Sequence, residues 1–284
     1  MNKKSVKHGI IALLSTLFVV SIFAGTAYAV TNGQPDGENH PYVCLVVADV
    51  NGAPAWRGSG VLIAPTIVLT AGHITDGATA TRVWFYSDVT YDKVPFPLYP
   101  YGGPGSGAIE GTPYTYAGYT SPIPGSKGNG VPTFSAGDVG IIVLDEPVIL
   151  DEYGVLPEAG YVDTLAVSTP VDLVGYGVQY QLMAFPGMNP RARWTGPRVR
   201  MYAPATTLSG SFSWSDQLMQ LSANPGNGKG GTAFGDSGGP ILQAGTNLIL
   251  AVNSYVVNVN CAGVTYAQRV DIEDVLEWIS TFMP

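Results

Sequence analysis

Short apolar runs bounded by glycine, proline, asparagine or aspartate recur along this chain: YVCLVVADV, GVLIAPTIVLT, VGIIVLD, VDLVGYGV and LILAVNSYVV. Each is rich in Val, Ile, Leu or Tyr and is shorter than a typical helix, so each reads as a β-strand with turn residues at its ends. Only DIEDVLEWIS, near the C-terminus, has helical spacing. There Ile272, Val275, Leu276 and Ile279 share one face, and Asp271 stands where it could cap the first turn. The expected class is all-β with a C-terminal α-helix. The stretch from Pro95 to Phe134 departs from this pattern. It is rich in Gly, Pro and Tyr, and because proline donates nothing to a ladder, much of it is expected to be surface loop.

Residues 1–29 are expected to be a signal peptide rather than part of the fold. Lys3, Lys4 and Lys7 are followed by an apolar run and then by Ala27 and Ala29, the small-residue pattern of a leader cut after Ala29. The apolar run is short for a membrane span, and no second run of spanning length follows. The expectation is export, to the periplasm or the medium, with no membrane contact once the leader is gone. The remainder is long enough for one large all-β domain or two small ones. The net charge of −8 becomes more negative when the lysines of the leader leave, which argues against nucleic acid or an anionic membrane as a partner. Cys44 and Cys261 are the only cysteines. Export permits a bridge between them, and two buried thiols are an equal reading. No metal-ligand spacing and no EF-hand pattern is present, so neither metal nor other cofactor is expected, with calcium on scattered carboxylates left open.

The stretch GTAFGDSGGP, 231–240, sets Ser237 among glycines, where the backbone can turn sharply and lie close to a substrate. As a G-x-S-x-G sequence it could be the nucleophile elbow of an α/β-hydrolase, but that fold needs a histidine after the serine and none follows. A general base must therefore lie upstream. His73, in VLTAGHIT, directly follows an apolar strand. His40, in GENHPY, reads as a solvated turn residue. Asp138, in AGDVGIIVLDEP, opens an apolar strand and is the candidate to orient the base.

In the order His, Asp, Ser, the blocks LTAGH, DVGIIVL and GDSGGP resemble the three signature blocks of chymotrypsin/trypsin-like serine proteases. VTNG resembles the activated N-terminus of that family, GSGVLI the strand leading to the histidine, VDLVGYG the opening of the second barrel, and GVTYAQRV with the end helix the closing segment. The resemblance implies two six-stranded antiparallel β-barrels with a C-terminal helix: a first over 30–160 carrying His73 and Asp138, a second over 161–284 carrying Ser237. The family's disulfides are largely missing. Arg57 is expected at the site of one such cysteine, none follows His73, and Ala233 replaces another.

What the resemblance implies chemically is acyl transfer, with Ser237 as nucleophile, His73 as base, Asp138 as its orienting acid, and the N–H groups of Gly235 and Ser237 as oxyanion hole. It also implies that a free Val30 ammonium pairs with Asp236, so that one cut after Ala29 would both export and activate the chain. The specificity pocket would be formed by Gly231 and Thr232 at its floor, Ser254 and Val256 on one wall and Gly263 on the other. With no aspartate at the floor and a branched Val256 narrowing the wall, small or medium apolar residues are expected before the cleaved bond. The implied partners are protein or peptide substrates. A non-catalytic binding module on the same fold is the alternative, although such modules usually lack a triad residue.

Overall fold

The computed structural model describes residue 30 and residues 32–120, 135–182, 194–209, 215–223, 228–256 and 261–284. The expected leader at 1–29 and the later part of the Pro/Gly/Tyr-rich stretch, 121–134, lie outside the described residues. Among the described residues fifteen strands follow in chain order: β1 Gln34–Pro35, β2 Val43–Val50, β3 Ala53–Ala64, β4 Ile67–Thr70, β5 Ala80–Trp84, β6 Ile109–Thr115, β7 Gly140–Leu144, β8 Pro170–Gly175, β9 Tyr180–Gln181, β10 Trp194–Thr195, β11 Met201–Ser209, β12 Leu218–Ala223, β13 Pro240–Gln243, β14 Ile249–Val256 and β15 Gly263–Arg269.

Strands β2 to β7 close into an antiparallel barrel in the order β2-β3-β4-β7-β6-β5. A second ring of six, β8-β11-β12-β15-β14-β13, closes because β8 pairs with both β11 and β13. The fold is thus the expected pair of six-stranded barrels with a helix, Glu273–Ser280, at the C-terminal end. Val43 to Ala48 are all buried, which is why that run reads as continuously apolar rather than alternating.

Two local expectations are corrected. The Pro/Gly/Tyr-rich stretch contains a barrel strand, β6, with Pro113 inside it. Pairing of β6 to β5 stops at Gly111 while pairing to β7 continues to Thr115, so Pro113 sits where one edge is open and a missing donor costs little. Asp271 does not cap the end helix. The cap position is Ile272, with no side-chain cap bond. The Asp271 carboxylate accepts Arg269 Nε at 2.9 Å and Nη2 at 2.8 Å, and the Val162 N–H at 2.8 Å. Two charge-assisted bonds to a guanidinium outweigh one neutral cap.

The two ends of the chain cross over. Val30 packs in the apolar core of the second barrel, and β1 adds to β11 outside that ring. The end helix goes the other way: Trp278 meets Tyr116 and Phe282 meets Tyr114, both from the first barrel. Arg200, fully buried, fastens the crossing. Its guanidinium donates to Asp36 Oδ2 (2.9 Å) and the carbonyls of Gly37 (2.7 Å), Val43 (3.1 Å) and Phe85 (3.1 Å). A buried cation is tolerated only when paired and hydrogen-bonded in this way. His40 joins the same group rather than standing in solvent: its Nδ1 lies 2.5 Å from Asp36 Oδ1 and its ring stacks on Tyr202. Cys44 and Cys261 are both buried and no disulfide links them. Burial pushes the Cys44 thiol well above its usual range.

Candidate active site

The histidine is carried by the helical turn Gly72–Thr75, which follows directly on the fully buried β4. The turn is pinned by the Asp76 N–H to the Gly72 carbonyl (2.8 Å) and by the Thr75 hydroxyl against that of Thr115 on β6 (2.8 Å). It packs so tightly on the start of β7 that a Cβ on Gly72 would stand 3.0 Å from the Val139 nitrogen, and one on Gly140 would stand 2.6 Å from Thr75 Oγ1. Both positions therefore need glycine, and their closeness delivers Asp138 to His73.

Asp138 Oδ1 accepts the His73 main-chain N–H at 2.8 Å, and Oδ2 lies 2.8 Å from His73 Nδ1. A carboxylate only accepts, so Nδ1 carries the proton and Nε2 presents its lone pair. The Asp138 side chain is 1% exposed and the His73 ring 32%. Burial pushes the Asp138 pKa up, but the charge and hydrogen bond of His73, with a bond from Ser254, more than reverse this and leave it below the usual carboxylate range. Burial likewise pushes the His73 pKa down, and the Asp138 charge and hydrogen bond overcome it, leaving it raised.

The second barrel grips Asp138 as well. The Ser254 hydroxyl on β14 donates to Oδ2 at 2.5 Å, Gln268 Oε1 on β15 accepts the Asp138 N–H at 3.1 Å, and Gln217 Oε1 accepts the Gly137 N–H at 3.2 Å. The two glutamines escaped the sequence reading.

Ser237 reaches the same seam through its backbone. Its carbonyl accepts the Ser59 N–H from β3 (2.8 Å), and the Gly238 N–H donates to the Asn253 carbonyl of β14 (2.8 Å). Gly238 has φ +82°, and a Cβ there would meet Thr70 Oγ1 at 2.1 Å and the Ala71 nitrogen at 2.7 Å. Thr70 and Ala71 lead straight into the His73 turn, so the serine loop is pressed onto the strand end that carries the histidine. Among the described residues neither the Ser237 hydroxyl nor the N–H groups of Gly235 and Ser237 make a hydrogen bond. All remain available for a ligand.

Asp236 points the opposite way, into the second barrel. Its carboxylate accepts the N–H groups of Gly177 and Ala233, each at 2.8 Å, and that of Val30. Glycine at 175 and 177 makes the space, because a Cβ at either would lie 2.4 Å or 2.5 Å from an Asp236 oxygen. Burial pushes the carboxyl pKa up to about 6, against these bonds and the charge of Arg57. Val30 and Asp236 are thus in contact, with the valine fully buried.

The pocket residues divide. Gly231 and Thr232 are buried beside Asn253 and Thr265: the Thr232 hydroxyl donates to Asn253 Oδ1 (2.6 Å) and its N–H to Thr265 Oγ1 (3.2 Å). Ser254 uses its hydroxyl on Asp138, and Val256 follows it at the partly exposed end of β14. Gly263 lies at the exposed start of β15 opposite Ala223, with nothing within 4 Å of where a Cβ would begin. Thr265, two residues on, is what meets Thr232. Arg57 also differs from its expected place. Gly58, not Arg57, faces the residue after His73, since a Cβ there would lie 2.9 Å from the Ile74 side chain. A glycine and an isoleucine meet where Arg57 was expected to replace a cysteine of the family.

Two closed antiparallel six-stranded barrels with a C-terminal helix make the double-barrel fold of the chymotrypsin-like serine proteases, and the protein has that fold. Among solved structures it is similar to HL collagenase (TM-score 0.60, 16% identity, 90% of this chain and 95% of that one covered). It is also similar to human heparin binding protein (0.56, 15%, 88% and 95%) and to the scabies mite inactivated protease paralogue S-I1 (0.57, 17%, 88% and 98%). No protein-family model matches the chain, and no curated protein matches it.

Proposed function

We propose that the protein is an exported serine endopeptidase that works through an acyl-enzyme. The observation that carries this reading is the buried Asp138 carboxylate bonded to His73 Nδ1, on the strand end against which the Ser237 loop is pressed. In the reaction Ser237 Oγ attacks the peptide carbonyl as His73 Nε2 takes its proton. The imidazolium is stabilised by Asp138 and then gives the proton to the leaving amine. Water, activated by the same imidazole, hydrolyses the ester. The unoccupied N–H groups of Gly235 and Ser237 receive the developing oxyanion, each worth roughly 3 kcal/mol of barrier. The Thr232–Asn253–Thr265 network fills the pocket floor with small hydroxyl and amide groups and no charge, which suits small or medium apolar residues before the cleaved bond. Val30, its ammonium freed by a cut after Ala29, is the partner of Asp236.

Covalent labelling by a fluorophosphonate, lost in Ser237→Ala together with hydrolysis of a peptide substrate, tests the reading. Activity in Ser237→Ala above a tenth of the parent would overturn it. A second reading, a binding module without turnover, draws on the neighbour described as an inactivated paralogue. It requires that the purified protein take no label.

A further inference from the structure

Arg57 lies on β3 beside the serine loop. Its Nη2 and Nε stand 3.1 Å and 3.3 Å from where a Cβ on Gly235 would be, directly behind the proposed oxyanion donor. It is partly exposed, and among the described residues its side chain makes no hydrogen bond or salt bridge, although its charge acts on the buried Asp236. In a chain of net charge −8, Arg82, Arg200 and Arg269 pair with carboxylates and Arg198 with a carbonyl and two tyrosine rings, whereas the Arg57 guanidinium keeps its donors free beside the nucleophile.

Which half of a bound peptide it would meet follows from the strands around Ser237. One side of the serine loop is held by β14 through Asn253, with the Thr232–Thr265 floor behind it, and this side takes the residue before the cleaved bond. The other side is held by β3 through Ser59. A peptide threaded past Ser237 with its acyl half on the β14 side must run its leaving half along β3. That edge is open: β4 pairs with β3 only at Val61, Leu62 and Ala64. The Ser59 N–H points away from β2 toward the serine loop. Two residues earlier the main chain of Arg57 points the same way, by the period of a strand.

Resting on the peptidase reading, we infer that Arg57 is a specificity residue of the leaving side, which selects substrates with an aspartate or glutamate in the first two positions after the cleaved bond. A guanidinium with free donors forms paired bonds with a carboxylate, which a carboxamide of the same shape matches poorly.

The test uses two quenched peptides that differ only in Glu or Gln at the second position after the bond. The expected ratio of kcat/KM, Glu over Gln, is about five- to tenfold at low salt, shrinking with added salt as for a partly exposed pair. In Arg57→Gln the ratio falls to about one, and in Arg57→Lys it is intermediate. A merely structural role, such as supporting Asp236, would lower both peptides equally and leave the ratio unchanged, and that result overturns the inference. The same peptides bound to Ser237→Ala, with and without Arg57→Gln, give the ratio from Kd. The selectivity is therefore measured even if the peptidase reading fails, and equal Kd values for the two peptides overturn it there.

Discussion

The Ser254 hydroxyl donates to Asp138 Oδ2 at 2.5 Å, so a residue of the second barrel completes the shell of an aspartate that the first barrel supplies. Ser254→Ala leaves Asp138 buried with one acceptor site unfilled. We expect the protein to fold, because the change is small and the strand stays paired, while turnover falls about tenfold, less than the roughly hundredfold or more that a group moving the proton itself contributes. Steady-state kinetics with circular dichroism checks this. Unchanged turnover would remove Ser254 from the machinery.

Activity should rise with pH along a limb set by His73. The neutral imidazole is the base, and the Asp138 charge holds the proton on, so the limb lies above the ordinary histidine value of 6.5. The stability of the pair runs in the opposite sense. A raised histidine contributes fully below its unfolded value and loses that contribution as pH rises through its folded one. Asp138→Asn should cost about ten-thousandfold in kcat through the wrong tautomer. His40→Ala should leave the limb in place, since His40 belongs to the Asp36–Arg200 cluster. A pH profile of kcat/KM decides each.

The contact between Val30 and Asp236 predicts a stability window. Without an ammonium beside it, Asp236 titrates at about 6 rather than 3.8. The folded state then holds the proton more tightly than the unfolded chain, and stability falls as pH rises through that interval. A form with one extra residue before Val30 should lose Tm between about pH 4 and 6. A form beginning at Val30 should not, because its ammonium pairs with the carboxylate. Thermal melts of the two forms across this range provide the check. Identical curves would argue that the terminus does not reach Asp236 as an ammonium.

Gly238→Ala should be severe. The new Cβ would meet the Ser59 carbonyl oxygen at 2.4 Å, and φ at this position is +82°. We expect a loss above about 2 kcal/mol in denaturant unfolding and no measurable peptidase activity. An active variant of near-parent stability would mean the serine loop can shift without harm.

Much of this was legible in the chain. Strand chemistry and turn punctuation indicated an all-β fold, and the ordered blocks around His73, Asp138 and Ser237 indicated two barrels. What escaped were contacts between segments far apart in sequence. Gln268 and Gln217 hold the Asp138 loop from the second barrel, and nothing near them marks that partner. Gly263 was placed on the pocket wall by resemblance alone, and the bond of Thr265 to Thr232 at the floor follows from strand register, which the sequence does not show. β6 was hidden by composition, since its proline lies on an edge that only the closed barrel reveals as open. His40 read as a turn residue because the groups that draw it inward, Arg200 on its partner Asp36 and the Tyr202 ring it stacks on, lie in the other half of the chain.

The exchange of chain ends means that neither half is a finished object. Each barrel is closed over by a piece of the other, with Val30 in the second core and Trp278 and Phe282 on the first. A nick in the connection between β7 and β8 would therefore yield one particle in two pieces, clasped at both ends. The two fragments, prepared separately, should be insoluble alone and should restore each other when mixed.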